Sequence, residues 1–242
     1  MLDKILKNNQ DSYFAEPQSF QEYLKDLESN YKKHLRTGAM YLKDTFDHFG
    51  QNRNGRFSLF SFENDENKKV YGNQHIQERI YNSLNNFIKE GYNNKLILLV
   101  GPNGSAKTSL IHKIMRACET YSTKEEGALY TFSWIFPTST SGNLKNSIGL
   151  NKGNVNSTES YAHLKDDSIG SILLSELKDH PLLLIPLKPR REYLHTLLKD
   201  DPDFFNIIKK TYLFNGDVSK QNRDIFDALL KQYNGDFNEV FK

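Results

Sequence analysis

The chain has 242 residues, 37% of them hydrophobic and 26% charged, with a formal net charge of +2, a balance that suits one large soluble domain, or one domain with an appendage. So small a net charge gives no global footprint for nucleic acid or a membrane surface, and the single cysteine, Cys118, excludes an intramolecular disulfide. No apolar run approaches the ~20 residues of a membrane helix, and the N-terminus, MLDKILKNNQDSY, lacks the apolar core and cleavage site of a signal peptide, so a cytoplasmic location is expected.

Residues 1–15 carry only a short apolar grouping at Leu2, Ile5 and Leu6. Ser19 followed by Glu22 has the capping-box spacing and predicts a helix start. Phe20, Tyr23, Leu24 and Leu27 give that helix one apolar face, and Ser29-Asn30 ends it. A second helix is expected over Tyr31–Phe49, where Leu35, Ala39, Leu42, Phe46 and Phe49 alternate four and three apart. Gly50 suits the position after its end. The pair reads as packing on a main domain, or as a surface for a protein partner. His34 and His48 have no ligand partners at metal spacing and read as packing or surface residues. Phe57–Phe62, FSLFSF, alternates like a short strand, and Asn64–Lys69 reads as a linker.

Val70-Tyr71-Gly72-Asn73 opens a helix running to about Lys89, with Ile76, Ile80, Leu84, Phe87 and Ile88 on one face and Gly91 beyond its end. Then comes the most informative stretch. Leu96–Val100, LILLV, fits a strand buried on both faces of a parallel sheet. Gly101–Thr108 matches the phosphate-loop pattern G-x-x-x-x-G-K-[ST], except that Ala106 stands where the second glycine is expected. A helix over Ser109–Thr120 follows, with Ile111, Ile114, Met115 and Cys118 at helical spacing, which makes Cys118 a buried structural thiol. The residue types suit a polyphosphate such as ATP. The backbone amides of Gly101, Pro102-Asn103, Gly104, Ser105, Ala106 and the helix start at Lys107, Thr108 and Ser109 can converge on phosphate oxygens, proline excepted. Lys107 can reach the β- and γ-phosphates, and the Thr108 hydroxyl can ligate Mg²⁺. Where position 106 needs φ > 0, a Cβ costs about 1 kcal/mol or more.

Leu129–Phe136 reads as a second strand, parallel to the first and joined to it by the intervening helix in a right-handed crossover. Residues 137–160 are rich in Ser, Thr, Asn and Gly and read as a functional insertion. Asp167-Ser168 is placed to cap a helix carrying Ile169, Ile172, Leu173 and Leu177. The HPLLLIP stretch, His180–Pro186, is apolar between prolines, and helical patterns follow at Arg190–Lys199, Asp203–Phe214 and Ser219–Tyr233. Arg190 and Arg191 read as a solvated helix start. No apolar strand ends in the Asp or Asp-Glu that a hydrolytic phosphate-loop enzyme uses to hold Mg²⁺ and activate water. The residues can bind a nucleotide without a complete apparatus for splitting it.

VYGNQHIQERI, LILLVGPNGSAKTSLIHKIM, YTFSWIFP, SYAHLKDD and SELKDHPLLLIPLKPRR resemble the N-terminal part of the PrkA family, bacterial serine protein kinases with an AAA-type ATPase domain. The resemblance covers roughly residues 15–242 and admits alanine before the loop lysine. It implies an α/β fold, a P-loop NTPase (AAA-type) parallel sheet with flanking helices, incomplete, preceded by a small helical region. The expected domains are residues 1–63 (helical) and 64–242 (nucleotide-binding). It further implies ATP with Mg²⁺ as ligands, Tyr71-Gly72 as a turn beside the adenine, a protein substrate, and a homo-oligomer when full length. Family members are much longer, so this chain reads as a truncated product or fragment, and kinase activity does not carry over by position. A non-catalytic, nucleotide-responsive binding module is the other reading. A transporter-type ATPase lacks its LSGGQ-like signature here, and a nucleic-acid motor lacks a basic stripe.

Overall fold

A computed structural model describes residues 17–62, 70, 72–91, 96–137, 161–164 and 169–241. The expected N-terminal segment before residue 17, the linker over Asn64–Lys69, Tyr71 and the insertion beyond Pro137 to Ser160 lie outside the described residues. The chain divides into two compact units. One contains Leu35–Leu129 and Asp201–Thr211; the other contains Glu16–His34, Tyr130–Asp200 and Tyr212–Lys242.

The first unit is helical. Helix α3 (Gly38–Phe49), helix α4 (Gln74–Glu90), helix α5 (Lys107–Ser122) and helix α7 (Pro202–Ile208) build it, after α1 (Phe20–Ser29) and α2 (Tyr31–His34) of the other unit. The single helix expected over Tyr31–Phe49 is therefore two. Thr37 breaks it, because its Oγ1 accepts the Met40 N–H at 3.3 Å and caps a new start. Gly50 ends α3 at φ 63°, as expected. The core of this unit joins Phe46, Leu59, Phe60, Ile80, Leu84, Leu110 and Ala117. FSLFSF is not a strand: Ser58–Phe60 forms a 3₁₀ turn, and Phe57, Leu59 and Phe60 are all buried, which strand alternation would not allow.

The buried face of α5 is Leu110, Lys113, Ala117 and Tyr121. The expected face was rotated from this: Ile111 and Met115 are exposed. Lys113 reaches the core face by running its stem inward and donating its Nζ to the Phe62 carbonyl at 3.1 Å. Cys118 is half-buried, its Sγ 3.7 Å from Thr45 Oγ1, and burial pushes the thiol pKa up.

The expected parallel phosphate-loop sheet is overturned. The described residues hold one two-stranded sheet, β1 (Ser133–Pro137) antiparallel to β2 (Ile169–Leu174), with Trp134 opposite Leu173. The stretch expected to flank LILLV is thus paired with Ile169–Leu174, itself expected as a helix. Gly170 and Ser171 weaken a helix there, and a short apolar run alone does not separate helix from strand. Leu96–Val100 forms no ladder, and Leu96, Leu98 and Val100 are 85%, 73% and 83% exposed, the opposite of a central strand.

The second unit contains this sheet together with α6 (Leu187–Leu197), α8 (Tyr212–Asn215), α9 (Lys220–Gln232) and α10 (Phe237–Val240). Trp134, Phe136, Leu184, Phe226 and Leu229 form its core. The Trp134 Nε1–H donates to Asn222 Oδ1 at 3.0 Å, so the buried indole is satisfied. The helix expected over Asp203–Phe214 is two pieces, α7 and α8. The Ser19 capping box is present: Ser19 N–H donates to Glu22 Oε2 at 2.7 Å, and Glu22 N–H to Ser19 Oγ at 3.2 Å. Pro181–Leu184 is a buried 3₁₀ turn. Arg190 is not solvated. Its guanidinium is buried and donates to the carbonyls of Leu183 at 3.2 Å, Ile185 at 3.1 Å and Gly216, tying that turn to the Gly216 loop.

Candidate functional site

The site is built in the first unit where the 96–109 segment meets one face of α4. Pro102 O accepts the Ser105 N–H at 3.3 Å, closing a turn whose third residue, Gly104, stands at φ 80°. Ser105 Oγ donates to the same carbonyl at 2.8 Å. Gly101 permits this closure, since a Cβ there would lie 2.9 Å from Ser105 Oγ. Ala106 then takes φ 60°, ψ 17° as the residue before α5. The position does require the left-handed region, and the alanine carries that strain. The α5 N-terminus at Lys107, Thr108 and Ser109 has no intrahelical acceptor for its first amides and points positive charge toward the loop.

Lys107 is half-buried, and its Nζ folds back over the loop, donating to Gly101 O at 2.8 Å, Pro102 O at 2.7 Å and Ser105 Oγ at 3.0 Å. An ammonium held only by carbonyl and hydroxyl oxygens, without a carboxylate, can exchange those partners for an anion's oxygens.

Gly101, Pro102, Ser105 and Lys107 share the wall of a cavity of about 570 Å³. That volume lies within the roughly 300–1,000 Å³ typical of small-ligand sites. The remaining expected loop residues lie outside the wall. Asn103 and Gly104 are exposed at the turn, Ala106 packs against the core, and Thr108 and Ser109 are exposed on the first turn of α5. Gly72 is held by Gln77, whose Nε2 donates to the Gly72 carbonyl at 3.1 Å, and the following residue, Asn73, lines the cavity.

The same cavity is lined by α4 and the residue before it. Besides the apolar Ile76, Ile80 and Phe87, they present Asn73, Arg79, Ser83 and Asn86. These polar residues escaped the sequence reading, which scored α4 for its apolar face alone. The signal was there: Asn73, Ile76, Arg79, Ser83 and Asn86 recur at three- to four-residue spacing and so share a stripe. Among the described residues, the charged ones on the wall are Lys107 and Arg79, both cations. No group of three or more His, Cys, Asp or Glu residues able to hold a metal occurs among the described residues. Among them, too, no helix is long and apolar enough to cross a membrane. Comparison of the chain with protein-family models, with characterised proteins and with solved structures finds no match.

Proposed function

We propose that the 101–109 loop binds the phosphates of ATP, and that the chain is the ATP-binding module of a PrkA-like serine protein kinase. The observation that carries the ligand class is the cavity wall, where the charges among the described residues are those of Lys107 and Arg79, with no carboxylate beside them. Such a wall favours a polyanion. Gly101 and Ser105 of the loop line the same cavity, beside Lys107 at the start of α5, where the helix end carries partial positive charge. The kinase assignment rests on the motif resemblance alone.

Mg²⁺ is bound through one or two carboxylates together with substrate phosphates in sites of this kind. The described wall residues include no carboxylate and not Thr108, so they fit Mg²⁺ only as an ion carried by the nucleotide. The same lack favours binding without efficient hydrolysis, because no described wall residue is a carboxylate or histidine that could accept a proton from an attacking water. A nucleotide-responsive module that works through partner contacts is the second reading consistent with that observation.

Thermal unfolding with and without Mg-ATP, beside a phosphate-release assay, tests both. A ligand at a hundred times its Kd stabilises by about 2.7 kcal/mol. The expected result is a clear upward melting shift, absent in Lys107→Ala, with no phosphate release above background. A shift of equal size in Lys107→Ala refutes the site. Phosphate release abolished by that substitution makes the chain an ATPase instead of a binding module.

A further inference from the structure

We propose that Arg79 is a second phosphate-binding cation of this cavity and makes it select nucleoside triphosphates over monophosphates. This rests on the nucleotide reading above and extends it to the α4 side of the cavity lining. Arg79 stands on the α4 stripe that carries Asn73, Ser83 and Asn86 to the cavity, while Lys107 faces the same space from the loop. Two cations lining one cavity, one from α4 and one from the loop, suit a ligand whose negative charge is spread along a chain of phosphates.

The state of Arg79 supports the role. Arg36 and Arg116, in the same unit, are paired with Asp44 and Glu119. Arg79 takes part in no ion pair or side-chain hydrogen bond among the described residues, although Glu78 is its chain neighbour. Glu78 instead accepts from Gln74 Nε2 at 3.0 Å. The Ser83 hydroxyl is committed as a donor to the Arg79 carbonyl at 2.8 Å, which leaves the guanidinium as the strongest unspent donor on this wall. Its planar fork matches two phosphate oxygens at once, which a lysine does not reproduce. An arginine that merely solvates the helix would leave nucleotide affinity unchanged.

The experiment is competition of a fluorescent ATP analogue by Mg-ATP, Mg-ADP and AMP, on the full chain and on Arg79→Gln and Arg79→Lys. For Arg79→Gln, ATP affinity is expected to fall about tenfold, the worth of one charge-assisted hydrogen bond. ADP should fall less and AMP not at all. Arg79→Lys should recover part of the loss, and the melting temperature without nucleotide should match wild type, because Arg79 is exposed. Wild-type ATP affinity in Arg79→Gln overturns the proposal and leaves the nucleotide reading standing. Equal losses for ATP and AMP also overturn it, since the residue would then not read phosphate number. A wild-type chain that binds none of the three overturns the nucleotide reading itself, and this proposal with it.

Discussion

Ala106 offers the sharpest test of the loop geometry. Its φ of 60° and ψ of 17° put a Cβ where L-residues pay for it, by roughly 1–2 kcal/mol. Glycine relieves that strain but enlarges the unfolded ensemble, a loss of about 0.4–1 kcal/mol. It also gives up a half-buried methyl group, about 0.4 kcal/mol if a fully buried CH₂ is worth ~0.8. At the midpoints of these ranges the balance for Ala106→Gly is a small stabilisation of about 0.4 kcal/mol, or on the order of 1 °C in Tm for a chain of this size. Ala106→Val moves the other way. A β-branched residue is a true outlier at positive φ, and the expected cost is more than about 1 kcal/mol beyond alanine. Urea unfolding of the three proteins, with m-values unchanged, should order the midpoints glycine, alanine, valine from highest to lowest. A valine variant as stable as wild type would refute the left-handed turn, and with it the way the loop enters α5.

Three further outcomes follow from the second unit. The His180 imidazole is neutral, its Nε2–H donating to the His34 carbonyl at 2.8 Å and its Nδ1 accepting the Leu182 N–H at 3.2 Å; burial pushes its pKa down from 6.5 to about 4. Above pH 6.5 it costs nothing, but as pH falls toward 4 the unfolded chain takes up a proton that the folded one refuses. Stability should therefore drop by up to about 3 kcal/mol over that window, and His180→Gln should flatten the slope in pH-dependent unfolding. Glu22 is held down to about 2, first by the Ser19 N–H, then by the Ser19 hydroxyl and His163. Its contribution is present above pH 4.5 and lost as pH falls toward 2; Ser19→Ala, which removes half of the capping box, should cost about 0.5–2 kcal/mol at neutral pH in denaturant titration. Arg190→Ala should destabilise by about 3 kcal/mol or more, because it leaves the buried carbonyls of Leu183, Ile185 and Gly216 without their donor; a loss below 1 kcal/mol would show that water replaces it.

What could be read from the sequence was local. The Ser19–Glu22 capping box, α4 with Gly91 beyond its end, and the turn before α5 depend on residues a few positions apart, and all are found. What could not be read depends on partners far along the chain. Five consecutive apolar residues at Leu96–Val100 announce burial, but a strand exists only when another strand lies beside it, and the Trp134 segment pairs with Ile169–Leu174. Arg190 looked like a surface charge because its acceptors are backbone carbonyls, which carry no side-chain signature. The face of α5 was misread by one step because Lys113 counts as polar in any periodicity, yet its long stem belongs to the buried side. Of the residues expected from the loop motif, Gly101, Pro102, Ser105 and Lys107 line the cavity, and the rest of the loop does not. The polar stripe on α4 was hidden by scoring that helix for its apolar residues.

The central claim is that phosphate oxygens take the place of the Gly101 and Pro102 carbonyls on the Lys107 ammonium. Isothermal calorimetry of Mg-ATP into the intact chain and into Lys107→Ala measures this directly. Removal of a charged hydrogen-bond donor should weaken binding about ten- to hundredfold. Saturable one-site heat in the wild type, lost or weakened to that extent in Lys107→Ala, is the expected result. Identical heats from the two proteins, or none from either, would contradict it.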